Sequence, residues 1–183
     1  MNQLLFWCER MKQVSGSSVR TLSMGAILFS VLFPFVTSMN VVKAADMPFE
    51  RSPDGLIKHI VHEQMNTKEC CLDIYQQFLP PGKASGKHRH LTEEIFFVVE
   101  GRGYDLHWDV RFDCDHEMEF TWDEEPKRFE WSQGDFVYIP PYCAHQHFNS
   151  DPNNEARIIV INSRILKPMG FDWFEQLENA EGY

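Results

Sequence analysis

Basic residues are scarce in this sequence: 17 lysines and arginines stand against 27 aspartates and glutamates, for a formal net charge of −10 at pH 7. Residues 1–44 hold four of those bases and one of the acids, which leaves 13 bases and 26 acids in the rest of the chain. A surface of this sign repels phosphate groups and anionic lipid heads. The charge balance therefore argues against nucleic acid as a partner, and against a membrane as a partner once the N-terminal leader described below is removed.

The sequence also lacks a Cys-x-x-Cys pair, which argues against a zinc site built from thiolates. Cys8 lies in the N-terminal region, and the other four cysteines could form disulfides in an oxidising compartment, with a connectivity that the sequence does not fix: Cys70, Cys71, Cys114 and Cys143. The acidic residues between 113 and 125 lack the glycine and spacing of an EF-hand calcium loop. We expect them to be a solvated strand face.

The first 44 residues have the order of a secretory signal. Basic residues precede an apolar run over residues 22–39, and Val42-Lys43-Ala44 supplies a cleavage site. We expect cleavage after Ala44 and export to the periplasm or the medium, and Met11 would be a more ordinary start for such a leader than Met1. The alternative is an uncleaved membrane anchor through residues 22–39, because that run approaches the length that spans a bilayer.

Residues 45–183 suffice for one domain with its own core and are too few for two. Proline and glycine boundaries divide them into an N-terminal arm (45–70), a β-barrel (71–166) and a C-terminal tail (167–183). The segment from Leu56 to Gln64 could be a strand or a helix. The tail predicts a short helix over Phe171 to Leu177.

Many short strands with glycine and proline corners predict an all-β sandwich or small barrel. Alternation is clearest from Tyr104 to Phe112, where aromatic and aliphatic residues alternate with Asp105 and His107, so one face of this strand should be buried and the other solvated. We expect a turn near Asp113. A set of apolar residues could line a pocket or form plain core: Phe96, Val98, Tyr104, Leu106 and Trp108.

Three residues with metal-ligating side chains share strand parity: His88, His90 and Glu94 can all point inward. Arg89 and Glu93 then point outward, which makes Glu93 the weaker candidate. His145 follows a Pro-Pro corner far downstream. Neutral imidazoles and a carboxylate suit Fe(II), Mn(II), Zn(II), Ni(II) or Cu(II), and the ligand types alone do not choose among these ions.

The two segments that carry these residues resemble the paired motifs of the cupin superfamily. The first motif matches at Gly82, His88, His90, Glu94 and Gly101, and the second matches at Gly134, Pro140, His145 and Asn149. The second motif departs at Tyr142, where the family usually has glycine, so a differently shaped turn is expected there. The resemblance implies a double-stranded β-helix, the cupin jelly-roll barrel, with one metal ion inside held by the four ligands of the family: His88, His90, Glu94 and His145.

The stretch from Ala144 to Asn149 also resembles cupins that cleave aromatic rings, of the gentisate dioxygenase kind. His147 and Asn149 share the parity of His145 and can face the barrel cavity. For His147, acid–base catalysis or support of the metal ligands stands beside a plain hydrogen bond to a neighbouring strand. For Asn149 the plain hydrogen bond is favoured, and Cys143 is interpreted as packing or as half of a disulfide.

These features lead to the hypothesis of an exported, metal-dependent cupin dioxygenase, with Fe(II) as the preferred ion and a small organic molecule as substrate, an aromatic compound being one option. One rival is an isomerase, decarboxylase or lyase on the same barrel that needs no O2. Another is a non-catalytic module that binds a small ligand, since a fold does not set a function. The resemblance also allows a homodimer.

Overall fold

The computed structural model of the chain describes residues 41–63, 65, 71–113 and 119–183, which lie in a compact unit over Met39–Tyr183. Regular structure within these ranges is almost entirely β-strand. The strands are β1 (Phe49–Ser52), β2 (Gly55–Val61), β3 (Leu72–Leu79), β4 (Lys87–His90), β5 (Glu94–Glu100), β6 (Arg102–Trp108), β7 (Val110–Asp113), β8 (Glu119–Trp122), β9 (Lys127–Ser132), β10 (Phe136–Ile139), β11 (Ala144–Asn149), β12 (Ala156–Ser163) and β13 (Phe174–Glu178). Two short 3₁₀ turns, Ala44–Asp46 and Lys167–Met169, complete the regular structure of these ranges.

The strands form two large antiparallel sheets and one ribbon. The first sheet has the order β1-β2-β3-β12-β5-β10, the second has the order β13-β4-β11-β6-β9, and β7 pairs with β8. Side chains from the two large sheets meet between them, as Phe96 of β5 and Trp131 of β9 do with ring centroids 6.1 Å apart. This is the all-β cupin barrel that the resemblance implied, and that prediction is confirmed.

The apolar core occupies one part of the barrel interior. Its buried members are Leu79, Phe96, Val98, Trp131, Ile139, Cys143, Ala156, Ile158 and Val160. Most of them lie on strands of the six-stranded sheet, where the burial pattern alternates, as in β12. Burial of large aliphatic and aromatic side chains stabilises a fold by about 1.5–3 kcal/mol each, so this layer fixes the sheet on which Glu94 stands.

The C-terminal tail differs from the sequence prediction. A helix was expected over Phe171 to Leu177, but Phe174–Glu178 is strand β13, which pairs with β4, and the helical part of the tail is only the 3₁₀ turn that ends at Gly170. The helix prediction is therefore wrong. Gly170 has φ 88°, a left-handed conformation that ends a helix, and the free edge of β4 supplies hydrogen bonds that outweigh a weak helical propensity.

The burial of β6 also differs from the prediction. Gly103, Asp105 and His107 are buried, whereas Tyr104 and Leu106 lie on the partly exposed face. The alternation was correct, but the polar side of the strand faces the barrel interior. Of the five residues proposed as pocket or core, Phe96 and Val98 are in the core, and the three of β6 are on its outer side.

The predicted N-terminal arm contributes strands to the barrel. Within the predicted N-terminal arm, β1 and β2 extend the six-stranded sheet, and the segment with the open assignment, Leu56 to Gln64, is strand as far as Val61. The turn expected after Asp113 falls on residues outside the described ranges, as do Cys70, Cys114 and the leader up to residue 40. In the part of the chain that is described, no helix has the length and apolar character needed to cross a membrane.

Candidate metal centre

Four buried side chains from both large sheets converge inside the barrel. β4 carries His88 and His90, β5 begins with Glu94, and β11 carries His145 beside His88 in register. One potential ligand atom from each of the four lies within 4.8 Å of the others. Metal–ligand bonds of about 2.0–2.3 Å place donor atoms about 3–4.5 Å apart around one ion, so the cluster has the dimensions of a metal site.

Strand parity suggested that His90 and Glu94 share one face of a strand, but the structure brings them together in another way. The chain leaves one sheet after His90, turns through residues 91–93 and enters the other sheet at Glu94. The two side chains therefore meet from facing sheets rather than from one strand face. Glu94 is fully buried and Glu93 is exposed, so the structure brings Glu94 rather than Glu93 to the cluster, as the sequence indicated.

Backbone carbonyls fix the ring orientation of two of the histidines. His90 Nδ1 lies 2.8 Å from the Thr92 carbonyl oxygen, and His145 Nδ1 lies 3.0 Å from the Cys143 carbonyl oxygen. A carbonyl can only accept a hydrogen bond, so each Nδ1 carries a proton and Nε2 is the ring atom that can offer a lone pair to a metal. Both Nε2 atoms face Glu94, at 3.5 Å from Oε2 for His90 and 3.7 Å from Oε1 for His145.

The inward-facing atoms are buried and have no hydrogen-bond partner of good geometry. This holds for His90 Nε2, His145 Nε2 and both carboxylate oxygens of Glu94. A converging set of lone pairs without a donor is costly to bury, and a divalent cation satisfies all of them at once. The residues present thus fit a first-row metal ion.

His88 is oriented by an acid from the N-terminal region. Its Nδ1 lies 2.8 Å from Asp54 Oδ1, close enough for an ion-pair contact although the angle is poor for a hydrogen bond. Carboxylates behind metal-ligating imidazoles fix the ring and raise its basicity. Phe174 covers the same ring from β13, stacked with its centroid 5.3 Å from that of His88.

Charge inside the barrel is distributed unevenly. Burial raises the pKa of Glu94, but the close contacts with His147 and His90 outweigh it and hold that pKa well below its usual value. Burial lowers the pKa of His145 well below its usual value, and the neighbouring His88 adds to the effect. Burial also lowers the pKa of His90, but contact with Glu94 reverses the shift and raises it. The cluster therefore offers an ionised carboxylate and a neutral imidazole, and a cation bound there would displace a proton from His90.

His147 lies next to the cluster and belongs to a second network. Its Nδ1 is 2.9 Å from Asp105 Oδ2, and its Nε2 is 3.5 Å from Glu94 Oε1. Burial lowers the pKa of His147, but the charge and hydrogen bond of Asp105 outweigh it and raise that pKa to about 10. With both ring nitrogens protonated, His147 is a positive charge beside Glu94 and has no lone pair for a metal.

Asp105, which no sequence motif singled out, is held from three sides. Trp131 Nε1 donates to Oδ1 at 2.8 Å, and His107 Nε2 lies 3.3 Å from Oδ2. Burial raises the pKa of Asp105, but the positive charge of His147 outweighs it and lowers that pKa. A sequence pattern could have pointed to Asp105: Asp105 and His107 are two residues apart on one strand, as His145 and His147 are, so each pair shares one face of its strand. Asp54, which contacts His88, had no comparable signal.

A cavity of about 360 Å³ adjoins the cluster. His88 and His90 form part of its wall, and its other walls combine aromatic residues of the C-terminal tail with polar and charged residues. The aromatic residues of the tail are Phe171, Trp173 and Phe174. This volume is at the small end of ligand pockets, so the cavity has room for a small organic molecule beside two of the histidines.

The other residues singled out from sequence have structural contacts. Asn149 Nδ2 donates to the carbonyl oxygens of Leu79 and Asn154, which matches the favoured hydrogen-bonding role. Cys143 is a buried free thiol. Burial and the neighbouring Asp109 raise its pKa to about 12, so it packs rather than reacts.

Tyr142 has φ 62°, the left-handed conformation that glycine would adopt, and its N–H donates to the His90 carbonyl. The turn before His145 thus keeps the shape that glycine would give it.

Comparison with known proteins gives a match to a family model described as auxin binding protein over residues 34–176. Auxin-binding protein 4 of Zea mays is 29% identical over 98 residues, covering 54% of this chain and 43% of that protein. Acireductone dioxygenase 3 of Physcomitrium patens is 30% identical over 127 residues, covering 66% of this chain and 55% of that protein.

Among solved structures, hydroxypropylphosphonic acid epoxidase of S. wedmorenis is similar in fold, with a TM-score of 0.50 and 15% identity over 68% of this chain and 59% of that chain. The chain spans between 43% and 66% of the length of the curated relatives it matches. Their whole-protein activities therefore do not transfer by similarity alone.

Proposed function

This chain belongs to the auxin-binding protein family, whose members are cupins, and from that premise we propose that it is a metal-dependent cupin that acts on a small organic molecule. The metal is one divalent first-row ion, with Fe(II) preferred. Its ligands are His88, His90, Glu94 and His145. The observation that carries the proposal is the convergence of buried lone pairs within 4.8 Å, with no hydrogen-bond donor of good geometry facing them.

The residues of the chain have separate roles in this proposal. The carbonyls of Thr92 and Cys143 hold His90 and His145 in the tautomer that presents Nε2. The positive charge of His147, 3.5 Å from Glu94, supports that carboxylate, and His147 is the acid–base group of this proposal. Aromatic residues of the tail, Phe171, Trp173 and Phe174, exclude water and orient an apolar or aromatic substrate in the cavity.

We favour an oxidation that uses O2. His88, His90, Glu94 and His145 would hold the ion, and a redox-active ion would supply electron transfer between a substrate and O2. Support comes from the 3-His/1-carboxylate ligand types and from the acireductone dioxygenase relative. The test is O2 uptake by metal-loaded protein with phenolic and keto-acid substrates, beside a His145→Ala variant. Turnover of a substrate without O2 uptake would favour an isomerase, decarboxylase or lyase instead.

A second candidate is a receptor that binds a small ligand without turnover, and the family match favours it. This candidate predicts that an auxin such as indole-3-acetate raises the midpoint of thermal unfolding of the metal-loaded protein. It also predicts that the ligand is recovered unchanged. If the ligand stabilises the protein and is also chemically converted, the protein is an enzyme rather than a receptor.

The proposed place of action is the periplasm or the medium, on the strength of the leader pattern in residues 1–44. Sequencing the N-terminus of protein recovered from outside the cytoplasm tests it. A terminus at or near Ala45 supports export with cleavage. A terminus at Met1 or Met11 in exported protein would contradict cleavage and favour the membrane anchor.

A further inference from the structure

A second cavity, of about 510 Å³, adjoins the C-terminal tail, and none of the described residues that line it is a proposed metal ligand. It shares Leu91 and residues 171–173 with the cavity beside the metal centre, and its other walls include strand β8 and the turn before β11. Its aromatic walls are Phe120, Trp122, Tyr142, Phe171 and Trp173. The volume is within the range of small-molecule pockets. We refer to this space as the aromatic cavity.

Three of these rings form a concave wall. The ring centroid of Tyr142 lies 4.8 Å from that of Phe120 and 5.3 Å from that of Trp173, and the ring planes are tilted by 34° and 48°. Tilted rings leave parts of their faces open to one shared space, unlike rings in a flat stack. The negative face of an aromatic ring attracts a cation within about 6 Å of its centroid, so one cation in this space can interact with more than one ring.

Hydrogen bonds to the backbone fix this wall. Trp122 Nε1 donates to the Tyr142 carbonyl oxygen at 2.8 Å, and the Leu91 N–H donates to the Trp173 carbonyl oxygen at 3.2 Å. Tyr142 also has φ 62°, a backbone conformation in which glycine would be unstrained. Residues held in such conformations cluster at ligand sites, where the surrounding structure maintains the strain. The strain therefore points to a use for the Tyr142 ring in the aromatic cavity.

The rings already hold one cation of the chain itself. The guanidinium carbon of Arg89 lies 3.5 Å from the ring centroid of Trp122 and 5.7 Å from that of Trp173. Glu175 compensates this charge, since its Oε2 accepts from Arg89 Nε at 2.8 Å and from Nη2 at 2.6 Å. Of the described residues that line the cavity, none is basic and Asp172 is acidic. With a chain charge of −10, these features favour a positive ligand over a negative one.

We propose that the aromatic cavity binds a small, soluble quaternary ammonium compound through its trimethylammonium group. Such a group has no N–H to satisfy and interacts with ring faces instead. A primary ammonium is strongly hydrated and needs several hydrogen-bond acceptors, whereas the described walls offer one carboxylate, Asp172, beside five aromatic residues. The site is separate from the proposed metal chemistry, and its occupation does not require a metal ion.

Isothermal titration calorimetry with choline tests the proposal on the chain as it is recovered from the expression host, with ionic strength matched by sodium chloride. The comparison ligand is dimethylbutanol, the choline analogue with carbon in place of the charged nitrogen. We expect choline to bind at least about threefold more tightly than this uncharged analogue. Equal binding of the two would show an apolar pocket without preference for charge and would overturn the proposal. An absence of binding at about 10 mM choline would overturn it as well.

Two variants locate the site. Phe120→Leu removes a ring face but keeps an apolar side chain, and Asp172→Asn removes the acidic charge. Each should raise the Kd of choline by about three- to tenfold, the size expected for a contact between a cation and a ring or an opposite charge. Asp172 is exposed, so its variant should keep the circular dichroism spectrum of the unaltered chain, and the test does not depend on Phe120 alone.

Phe136→Leu is the matched control. Phe136 is 69% exposed on β10 and is not among the residues that line the cavity, so its substitution should leave the Kd unchanged. An unchanged Kd in both Phe120→Leu and Asp172→Asn would contradict the proposed site. Sedimentation with phosphatidylcholine vesicles separates a soluble ligand from a lipid headgroup that carries the same group. Protein that sediments with the vesicles but does not bind choline would show that the ligand is a lipid, and the proposal would be wrong.

Discussion

Asp105 and His147 form a sealed pair in the barrel interior: His147 Nδ1 lies 2.9 Å from Asp105 Oδ2, and the pair is closed off from solvent. Through its other nitrogen, His147 reaches Glu94, which belongs to the proposed ligand set. The pair therefore links a carboxylate that no ligand motif contains to the metal centre. It also places a positive group 3.5 Å from the carboxylate of Glu94.

Replacing Asp105 should weaken metal binding without removing a ligand. In Asp105→Asn the amide cannot hold His147 by charge, so Glu94 loses a fixed positive neighbour, and changes of this kind typically cost about 10–100-fold in metal affinity. Competition with a calibrated chelator measures the effect. Asp109→Asn is the control, because Asp109 pairs with Lys127 at the surface. Equal affinities in the two variants would show that the Asp105–His147 pair does not support the site.

Phe174 should slow the exchange of the metal. Its ring stacks near both His88 and His90, with centroids 5.3 and 6.5 Å away. Phe174→Ser would open this side of the centre to water and chelator, so we expect severalfold faster metal loss to EDTA, measured by stopped flow. Met169→Ser changes an exposed apolar residue of the same tail and should leave the rate unchanged. An unaltered rate in Phe174→Ser would contradict a covering role for β13.

The left-handed backbone of Tyr142 should lower the free energy of unfolding of the protein. Tyr142→Gly and Tyr142→Ala both lose the ring contacts with Phe120 and Trp173, but only glycine accepts φ 62° without strain. We therefore expect the glycine variant to be more stable than the alanine variant by about 1 kcal/mol in urea unfolding. At Tyr104, in strand β6, the order should reverse. The same order at both positions would count against strain at Tyr142.

The core prediction concerns Ile158, which is fully buried in β12. Ile158→Ala removes packed methylene groups and should lower the free energy of unfolding by about 2–5 kcal/mol. Ile165→Ala removes the same atoms from a side chain that is 42% exposed and should cost less than about 1 kcal/mol. Urea unfolding of both variants checks the difference. A similar loss in the two variants would contradict the placement of the core.

The sequence was sufficient for the fold and the four proposed ligands because their spacing is local to two short segments. It was misleading for β6, since alternation shows that two faces differ without showing which one is inside. The usual assumption is that the apolar face of a strand is the buried one. In β6 the polar face is buried instead, because Asp105 and His107 contact each other inside the barrel. The strand β13 was missed because its pairing partner, β4, is more than eighty residues away, and local pattern carries no signal of such an edge.

The measurement that tests the central claim most directly is the metal content of the purified protein and its His145→Ala variant by mass spectrometry. His59→Ala is the control, since His59 lies outside the cluster of four. We predict about one first-row metal ion per chain in the unaltered and His59→Ala proteins, and almost none in a folded His145→Ala protein. A protein that retains no metal, or a His145→Ala variant with undiminished metal, would contradict the assignment of the four residues as a metal centre.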